Sequence, residues 1–256
     1  MLPYERHERI LTAARADRFV KIEDLLRITG SSLSTLRRDI NQLAEEGRIR
    51  KSRGGVLLEE MAKGVESSLL YLNREKLYKA EKERIGRAAQ NFIEDGDFLV
   101  LLNGTTTVAV ARSLSLDKRV TIITNGIDIV TALRDKPNAQ VILLGGLVDY
   151  AHYLMTGPMV LRDLGDLHAA KLISGAGGIS AEKGVTVYPY MVSAYYGRIV
   201  EMVEQVIVVA DHSKLGRNAL VQVIELDKVD TLITDTGAEA VYLELLERHG
   251  ISCILG

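Results

Sequence analysis

The stretch Gly30–Gly47, GSSLSTLRRDINQLAEEG, decides the fold of the first part of this chain. Hydrophobic residues recur there at three- and four-residue steps, as on one face of a helix: Leu33, Leu36, Ile40 and Leu43. Ser31 or Ser32 can cap the start of this helix, and Gly47 can end it in a left-handed turn. The stretch therefore predicts an amphipathic helix with one face in a core.

The other face of this helix carries side chains suited to DNA. The exposed positions of its first turns bear hydroxyls, two guanidinium groups and an amide: Ser32, Ser34, Thr35, Arg37, Arg38 and Asn41. Such groups read base edges and phosphates in a major groove. An ordinary amphipathic surface helix can also carry two arginines, so the flanking sequence must decide between the two interpretations.

The flanking sequence favours DNA binding. Pro3 suits the first turn of a helix that extends to about Ala16, and a second helix at Ile22–Thr29 leads into a turn at Gly30. Two helices around such a turn form a helix-turn-helix arrangement. Two β-prone runs around Gly54-Gly55 then predict a hairpin. Its cations suit a wing that lies along phosphates, with a solvated basic loop as the alternative: Arg48, Arg50, Lys51 and Arg53.

The charge distribution supports two domains of different function. Residues 1–58 hold 12 Lys and Arg against 8 Asp and Glu, a net charge of +4, whereas residues 59–256 hold 20 against 26, a net charge of −6. A basic segment joined to an acidic body is typical of a DNA-binding module with a second domain. We expect a DNA-binding domain at residues 1–58, a linker at 59–72 and a larger domain at 73–256.

The first domain resembles a known family. It is similar to the DNA-binding domain of the DeoR family of bacterial transcriptional repressors. The similarity lies in Arg6 and Ile10, the run Ser34–Asp39 and the wing from Gly47 to Gly55. The resemblance covers residues 1–58. It implies a winged helix-turn-helix that binds operator DNA.

The sequence of the larger domain is typical of an α/β protein. A helix at Asn73–Ile93, with a solvated mixed-charge face that includes Lys79, Lys82, Arg84 and Arg87, precedes alternating strands and helices. Strands are predicted at Phe98–Leu102, Val120–Thr124, Val141–Leu144, Lys171–Ser174, Gln205–Ala210, Thr231–Thr234 and Ser252–Leu255. Helices are predicted at Thr105–Ser115, Ile127–Arg134, Met191–Val203 and Ala238–Arg248. This order predicts a mainly parallel sheet, which binds ligands at the carboxyl ends of its strands.

Polar, glycine-bearing segments follow several of these strands. Asn103–Thr107, which we call the phosphate loop, combines a glycine turn, three hydroxyls and a helix start, which together favour an anion. The others are Thr124-Asn125-Gly126, Gly145-Gly146, the run Ser174–Gly178 and the run Asp211–Lys214. Each of these alone is compatible with an ordinary turn, but Lys214 could reach an anionic ligand.

These segments, in this order, resemble the effector domain of the DeoR family across residues 74–256. That domain is related in fold to ribose-5-phosphate isomerase and glucosamine-6-phosphate deaminase, and it senses a phosphorylated sugar or related intermediate. The resemblance implies phosphate binding by Asn103, Gly104, Thr105, Thr106 and Thr107. It also implies sugar contacts from Thr124, Asn125, Gly145, Gly146, Gly177, Asp211 and Lys214.

The chain departs from the family pattern at three places. Leu102-Asn103 stands where the family has Asp-Ser, and Ala170-Lys171 where it has Asp-Lys. The stretch Tyr188–Tyr196 replaces a Glu and a Lys by apolar and phenolic residues. We therefore expect the anion to bind and the hydroxyl-reading side to differ, so that the effector is unusual.

The titratable residues suggest neither a metal site nor a cofactor. The histidines are scattered without ligand spacing. His152, between Tyr150 and Tyr153, either faces the effector or is an ordinary loop residue. We expect no metal, no cofactor and no catalytic residue.

These features predict a DNA-binding regulator, a repressor of a carbohydrate catabolic operon that a phosphorylated sugar or related metabolite controls. The alternative is a sugar-phosphate isomerase or deaminase with a fused DNA-binding head. Such catalysis needs a carboxylate base, and only Asp149 and Asp211 come near the expected site. A third interpretation, a binding module that has no effector, would leave the phosphate loop without a function.

Partners and location follow from the same features. A single winged helix makes few contacts, so we expect a homo-oligomer, a dimer or tetramer, on double-stranded operator DNA. No leader precedes Pro3, no run of about 18 apolar residues occurs, and Cys253 has no second cysteine to pair with. We expect a cytoplasmic protein with no membrane partner.

Overall fold

The computed structural model describes residues 3–16, 20–46, 48–52, 54–58, 71–188 and 190–256. The chain divides into two compact units, Met1–Leu69 and Leu70–Gly256. Most of the expected linker, residues 59–70, lies outside the described part. Tyr71, which we expected at the end of the linker, is buried in a helical segment at residues 71–76.

The described part of the first unit contains three helices and a small antiparallel sheet. Its helices are α1 (Pro3–Ala16), α2 (Ile22–Thr29) and α3 (Leu33–Glu45). Its strands are β1 (Val20–Lys21), β2 (Ile49–Ser52) and β3 (Gly55–Leu58), in the order β1-β3-β2. The predicted helix-turn-helix and hairpin are therefore confirmed, and Val20–Lys21, just before α2, adds a third strand.

The boundaries of α2 and α3 follow the sequence signals. Gly30 adopts a left-handed φ of 60°, and its N–H donates to the Leu26 carbonyl at 2.9 Å. Ser32 is the residue that caps α3, because its Oγ accepts a bond from the Thr35 N–H at 3.3 Å. Gly47, the predicted end of this helix, lies outside the described residues.

Two expectations for this unit were wrong. Leu33 is 41% exposed rather than in the core, since it begins α3 on the outer side. Gly55 does not form the hairpin turn. It pairs with Ser52 inside the sheet, and the left-handed residue of the turn is Gly54, with a φ of 87°.

A buried carboxylate ties α3 to α1. Asp39 is 3% exposed and accepts bonds from Arg6, from Nε at 2.7 Å and from Nη2 at 2.9 Å. The His7 Nε2 lies 3.3 Å from the same carboxylate. Burial alone would raise the pKa of Asp39, but the bonds from Arg6 and His7 outweigh it and the pKa is lowered. This ion pair holds the two helices over a core that includes Leu36 and Leu43.

The second unit is built on a seven-stranded parallel sheet. Its strands are β4 (Phe98–Leu101), β5 (Val120–Thr124), β6 (Ala139–Leu143), β9 (Ala169–Gly175), β12 (Val203–Val209), β14 (Thr231–Thr234) and β15 (Ser252–Leu255), in the order β15-β14-β12-β9-β4-β5-β6. Every neighbouring pair is parallel, which confirms the predicted sheet.

Helices connect and cover these strands. They are α4 (Lys79–Ala88), α5 (Thr105–Ser113), α6 (Ile127–Leu133), α7 (Pro158–Leu164), α8 (Ser193–Glu201) and α9 (Ala240–Arg248). Short 3₁₀ turns occur at Ala89–Phe92, Tyr190–Val192, His212–Lys214 and Leu226–Lys228. Side chains alternate between the two faces of the sheet, and a hydrophobic cluster on each face packs the sheet against the helices.

The sequence analysis missed several elements of this unit. A hairpin of β7 (Leu147–Asp149) and β8 (Leu154–Thr156) was not predicted, nor was α7. A second, antiparallel sheet contains β10 (Gly178–Ser180), β11 (Gly184–Val187) and β13 (Val221–Ile224). The predicted helix at Asn73–Ile93 is interrupted at residues 77–78, where Tyr78 has a left-handed φ of 52°.

The strand order defines where a ligand can bind. From β4 the chain adds β5 and β6 on one side of the sheet, and from β9 it adds β12, β14 and β15 on the other. The direction of winding therefore reverses between β4 and β9, which are neighbours. Loops that leave adjacent strands in opposite directions open a crevice at the carboxyl ends of those strands.

Candidate functional site

The exposed face of α3 carries the side chains expected to contact DNA. Ser32, Ser34, Arg37, Arg38 and Asn41 are exposed and Thr35 is half-buried. Neither Arg37 nor Arg38 forms an ion pair or hydrogen bond within the described part of the chain, so both guanidinium groups are available to a partner. The opposite face of the helix is buried, which fixes this orientation.

The wing and α3 are joined through one side chain. The Lys51 Nζ, on β2, donates to the Asn41 Oδ1 at 2.8 Å, which brings the cation of the hairpin next to the exposed helix face. Arg50 lies on β2, but its side chain is outside the described part, and so is the whole of Arg53.

In the second unit, a cleft of about 340 Å³ lies at the carboxyl ends of β4, β9 and β12, beside the reversal of winding. Its lining includes the loops after these three strands, the segment at residues 71–78 and one residue of α4. Eight of the predicted effector residues line it: Asn103, Gly104, Thr105, Thr106, His152, Gly177, Asp211 and Lys214. The sheet edge thus brings together residues that are more than 100 positions apart in the sequence.

The phosphate loop forms the entry to α5. Gly104 has a φ of 152°, and the first-turn N–H groups that follow it lack helical partners, so they can donate to an anion. Thr105 and Thr106 line the cleft at this helix start. Thr107 does not line the cleft, because its hydroxyl donates inward to the Gly104 carbonyl at 2.8 Å.

Two more predicted residues lie behind the cleft and hold its loops. The Thr124 Oγ1 accepts a bond from the Gly126 N–H at 3.0 Å. The Asn125 side chain accepts a bond from the Asn103 N–H at 3.1 Å and donates to the Tyr195 hydroxyl at 2.8 Å. Both residues are fully buried and do not line the cleft, so Asn125 positions Asn103 and Thr124 holds the turn at Gly126.

The two glycines after β6 also lie outside the cleft lining. The Gly145 N–H donates to the Asp163 carboxylate at 2.9 Å. A Cβ added at Gly146 would lie 2.4 Å from the Thr156 carbonyl oxygen, so this position needs glycine for close backbone packing.

Asp211 supplies a carboxylate to the cleft. It is 1% exposed, and its Oδ1 accepts bonds from the N–H of Ser213, at 3.1 Å, and from the Ser213 hydroxyl. Its Oδ2 is buried and has no hydrogen-bond partner in the described part of the chain. This oxygen can accept a bond from a hydroxyl of a ligand.

His152 also lines the cleft. Its Nδ1 lies 2.8 Å from the Asp149 Oδ2, and its carbonyl accepts a long bond of 3.4 Å from the Asn103 side chain. Asp149, the other carboxylate that we expected near the site, is thus paired with a histidine and is not part of the lining.

The sequence analysis missed Lys82, which is 5% exposed and lines the cleft. Its Nζ donates to the Leu77 carbonyl at 2.6 Å and to the Arg74 carbonyl. Burial is the main reason that the pKa of Lys82 is lowered to about 8. The expectation of a solvated face on this helix was therefore wrong for Lys82. It holds for Lys79, which is exposed.

Arg74 and several phenols were also missed. Arg74 lies over the ring of Tyr71, with its guanidinium carbon 5.5 Å from the ring centroid. Tyr71 stacks on Tyr153 at 4.6 Å between centroids, and the rings of Tyr78 and His212 form a T-shaped pair with centroids 4.8 Å apart. No sequence signal marks Tyr71, Arg74 and Tyr78, because they reach the cleft from the segment at residues 71–78 rather than from a strand end.

The departures from the family pattern fall in different places. Lys171 lies on β9, outside the cleft lining, and its ammonium pairs with the Asp97 carboxylate at 2.8 Å. Tyr188 and Tyr196 line the cleft, and the Tyr196 hydroxyl lies 3.1 Å from the Ser174 Oγ. Burial raises the pKa of Tyr196 to about 12, so its hydroxyl remains neutral near pH 7. Pro189 lies outside the described residues.

The described residues form neither a metal-ion site nor a membrane-spanning helix. Among the described ranges, no group of three or more His, Cys, Asp or Glu side chains is arranged to hold a metal ion. No helix in the portion of the chain that the structure describes is long and apolar enough to cross a membrane.

Comparison with known families matches both units. The model of the DeoR-like helix-turn-helix domain matches residues 6–61, and the model of the DeoR C terminal sensor domain matches residues 78–236. The second match covers more than half of the chain and includes the phosphate loop, Lys82 and Asp211. Tyr71 and Arg74 precede it.

Curated proteins match over almost the whole length. The HTH-type transcriptional repressor GlcR of Bacillus subtilis (strain 168) is 33% identical over 255 residues, which cover 100% of this chain and 97% of that protein. The glycerol-3-phosphate regulon repressor of Escherichia coli (strain K12) is 29% identical over 247 residues, which cover 96% of each. These relatives are transcriptional repressors.

One solved structure that matches is ribose 5-phosphate isomerase A from Neisseria gonorrhoeae. It is 14% identical, covers 56% of this chain and 54% of its own, and has a TM-score of 0.40. No functional conclusion follows from a likeness of this extent.

Proposed function

The chain belongs to the DeoR family of DNA-binding transcriptional regulators, and from this premise we propose that it represses a carbohydrate catabolic operon under the control of a phosphorylated sugar or related metabolite. The observation that carries the proposal is the cleft at the reversal of winding, where the phosphate loop faces Asp211 and Lys214. An anion bound there meets a helix start and a lysine, while a sugar hydroxyl can donate to Asp211.

For DNA, we propose that α3 enters the major groove and that the wing follows the phosphates. Arg37 and Arg38 are exposed, unpaired within the described ranges and adjacent on the helix. Ser32, Ser34, Thr35 and Asn41 would add hydrogen bonds to bases or phosphates. Arg50, Lys51 and Arg53 would contact phosphates, which adds affinity without sequence preference.

We also propose that the regulator binds its operator as a homo-oligomer. A single winged helix-turn-helix buries little surface on DNA, and operator half-sites are read by paired recognition helices. Sedimentation of the free protein would measure its oligomeric state, and a footprint of two half-sites on the operator would support this assignment.

The effector proposal predicts the effect of Thr106→Ala. The Thr106 hydroxyl lines the cleft at the start of α5, where it can donate to a phosphate oxygen. Its loss should weaken binding of the phosphorylated effector by about 10- to 100-fold, as expected for a charge-assisted bond. Isothermal calorimetry with phosphorylated sugars measures this loss.

Two controls complete that measurement. Thr131→Ala removes an exposed helical hydroxyl outside the cleft, where it bonds the Ile127 carbonyl, and it should leave effector affinity unchanged. Operator affinity without effector should be the same in wild type and Thr106→Ala. If the phosphorylated and dephosphorylated forms of one ligand bind equally well, the loop is a helix cap and the sugar-phosphate proposal is wrong.

The lowered pKa of Lys82 predicts proton uptake on effector binding. At pH 8 about half of the free protein carries the proton on Lys82, whereas a phosphate monoester is already a dianion. The bound anion favours the charged lysine, so binding should take up about half a proton at pH 8. Affinity should then fall as the pH rises through 8 to 10.

Calorimetry at pH 8 in buffers of different ionisation enthalpy measures this uptake. Other charged groups act on Lys82, namely Arg74, Lys214, Asp211 and Glu75, so a variant is needed to assign the proton to Lys82. Lys82→Met should abolish the buffer dependence. A binding enthalpy that is the same in every buffer would show that the anion does not contact Lys82.

The alternative of a sugar-phosphate isomerase rests on the unpartnered oxygen of Asp211, the carboxylate that lines the cleft in the described part of the chain. We propose that this oxygen binds a hydroxyl rather than removes a proton, because the related proteins are DNA-binding regulators. Incubation of the protein with aldose and ketose phosphates, followed by NMR, tests this assignment. Interconversion that Asp211→Asn abolishes would assign catalysis to the cleft.

A further inference from the structure

The cleft carries more positive charge than one phosphate requires. Four cationic side chains line it, Arg74, Lys82, Lys214 and Arg217, against the single carboxylate of Asp211 among the described lining residues. A phosphate monoester carries a charge of about −1.5 to −2 at pH 7, and the start of α5 already favours it. Positive charge therefore remains for a second anionic group.

Among these four cationic side chains, Arg74 most clearly lacks an anionic partner within the described ranges. Its Nε is buried and has no hydrogen-bond partner in the described ranges, and its guanidinium group rests on the ring of Tyr71. Burial is the main cause of the lowered pKa of Arg74. A desolvated cation without an ion-pair partner is unfavourable in a folded protein unless an anion binds to it.

Lys82 lies in the same part of the cleft. Two of its N–H bonds go to the carbonyls of Arg74 and Leu77, which leaves one N–H free. No carboxylate in the described part of the chain is within ion-pair distance of its Nζ. A half-buried cation, Arg74, and a buried one, Lys82, are thus neighbours joined through the Arg74 carbonyl, and neither has an ion-pair partner in the described part of the chain.

The donors available here fit a carboxylate better than a second phosphate. The free edge of a planar guanidinium group binds a carboxylate through two parallel bonds. Lys82 can add a single further bond. A second phosphate dianion would need more donors, such as the first-turn N–H groups that α5 supplies to the first one.

From these contacts we infer that the effector carries a carboxylate, bound by Arg74 and Lys82, in addition to the phosphate at the start of α5. The ligand would then be a phosphorylated sugar acid or hydroxy acid rather than a neutral phosphorylated sugar. This inference rests on the proposed function, because it assigns the second anion of the same cleft. Arg74 would be a specificity-determining residue.

Matched pairs of phosphorylated ligands test the inference by calorimetry on the full chain. The first pair is 6-phosphogluconate and glucose 6-phosphate, and the second is 3-phosphoglycerate and glycerol 3-phosphate. In at least one pair the acid should bind at least 10-fold more tightly than its neutral partner. Arg74→Gln should remove this preference and change the affinity of the neutral partner by less than about threefold.

Further variants separate a binding role from a structural one. Arg74→Lys keeps the charge without the guanidinium fork and should restore part of the preference. Arg87→Gln removes an exposed cation of α4 that does not line the cleft, and should keep the full preference. Thermal unfolding of each variant shows whether the second unit remains folded.

The outcomes distinguish the two proposals. If the phosphorylated ligands bind without preference for the acids, or if the preference survives Arg74→Gln, this inference is overturned and the sugar-phosphate proposal stands. Tighter binding of fructose 1,6-bisphosphate than of both acids would replace the carboxylate by a second phosphate. If none of the phosphorylated compounds binds, both proposals are wrong.

Discussion

Replacement of Arg37 and Arg38 by alanine should reduce operator affinity by about 30- to 3 × 10⁴-fold, since each arginine that contacts a base or a close phosphate contributes about 1–3 kcal/mol. Both guanidinium groups extend from the first turns of α3 and form no bond within the described part of the chain. Fluorescence anisotropy with operator DNA at constant salt measures the loss. Calorimetry with effector should give wild-type affinity.

A matched control removes the same charge elsewhere. Arg134 and Arg162 are exposed on the second unit and pair only with a neighbouring aspartate, Asp135 and Asp163, in the described ranges. Their double alanine variant should keep operator affinity within about threefold. Equal losses in the two double variants would mean that net charge, rather than α3, determines DNA binding.

Asp39→Ala should destabilise the first unit by about 3 kcal/mol, because the substitution leaves Arg6 and His7 without their shared carboxylate at a buried position. The lowered pKa of Asp39 sets the pH dependence. Its stabilising contribution should be complete above about pH 4 and should be lost as the pH falls and the carboxylate becomes protonated. Circular dichroism during thermal unfolding at pH 7 measures the difference.

Asp24→Ala provides the comparison in the same unit. Asp24 pairs with Arg27 on the surface of α2, and both side chains are exposed. Its loss should cost about 0.5 kcal/mol or less. If Asp39→Ala unfolds at the same temperature as Asp24→Ala, the buried ion pair does not hold α1 to α3.

The central sheet could be predicted from the sequence because its strands are nearly continuous apolar runs. Val120–Thr124, Thr231–Thr234 and Ser252–Leu255 have the predicted bounds. Both faces of a parallel sheet are covered, so hydrophobicity alone marks such strands. The antiparallel strands β10, β11 and β13 are short and rich in glycine or polar residues, and this signal is weak for them.

Parts of the two sites could not be predicted, because they depend on partners far away in the sequence. Asp39 is buried by Arg6, 33 positions earlier, although its place on α3 alone suggests an exposed carboxylate. Lys82 lies in a run of charged residues, and only the fold shows that its ammonium reaches the carbonyl of Leu77. The phosphate loop was predictable because its glycine, hydroxyls and helix start are contiguous.

The cleft is built from two separate parts of the chain, and the segment at residues 71–78 is one of them. It supplies Tyr71, Arg74 and Tyr78, whereas the phosphate loop and Asp211 come from strand ends whose positions the parallel sheet dictates. Side chains in this segment contact the rest of the unit through the stacking of Tyr71 on Tyr153 and the ion pair of Glu75 with Arg112, among others. Substitutions at Tyr71, Arg74 and Tyr78 can therefore reshape one wall of the cleft without altering the strand register that positions the phosphate loop and Asp211.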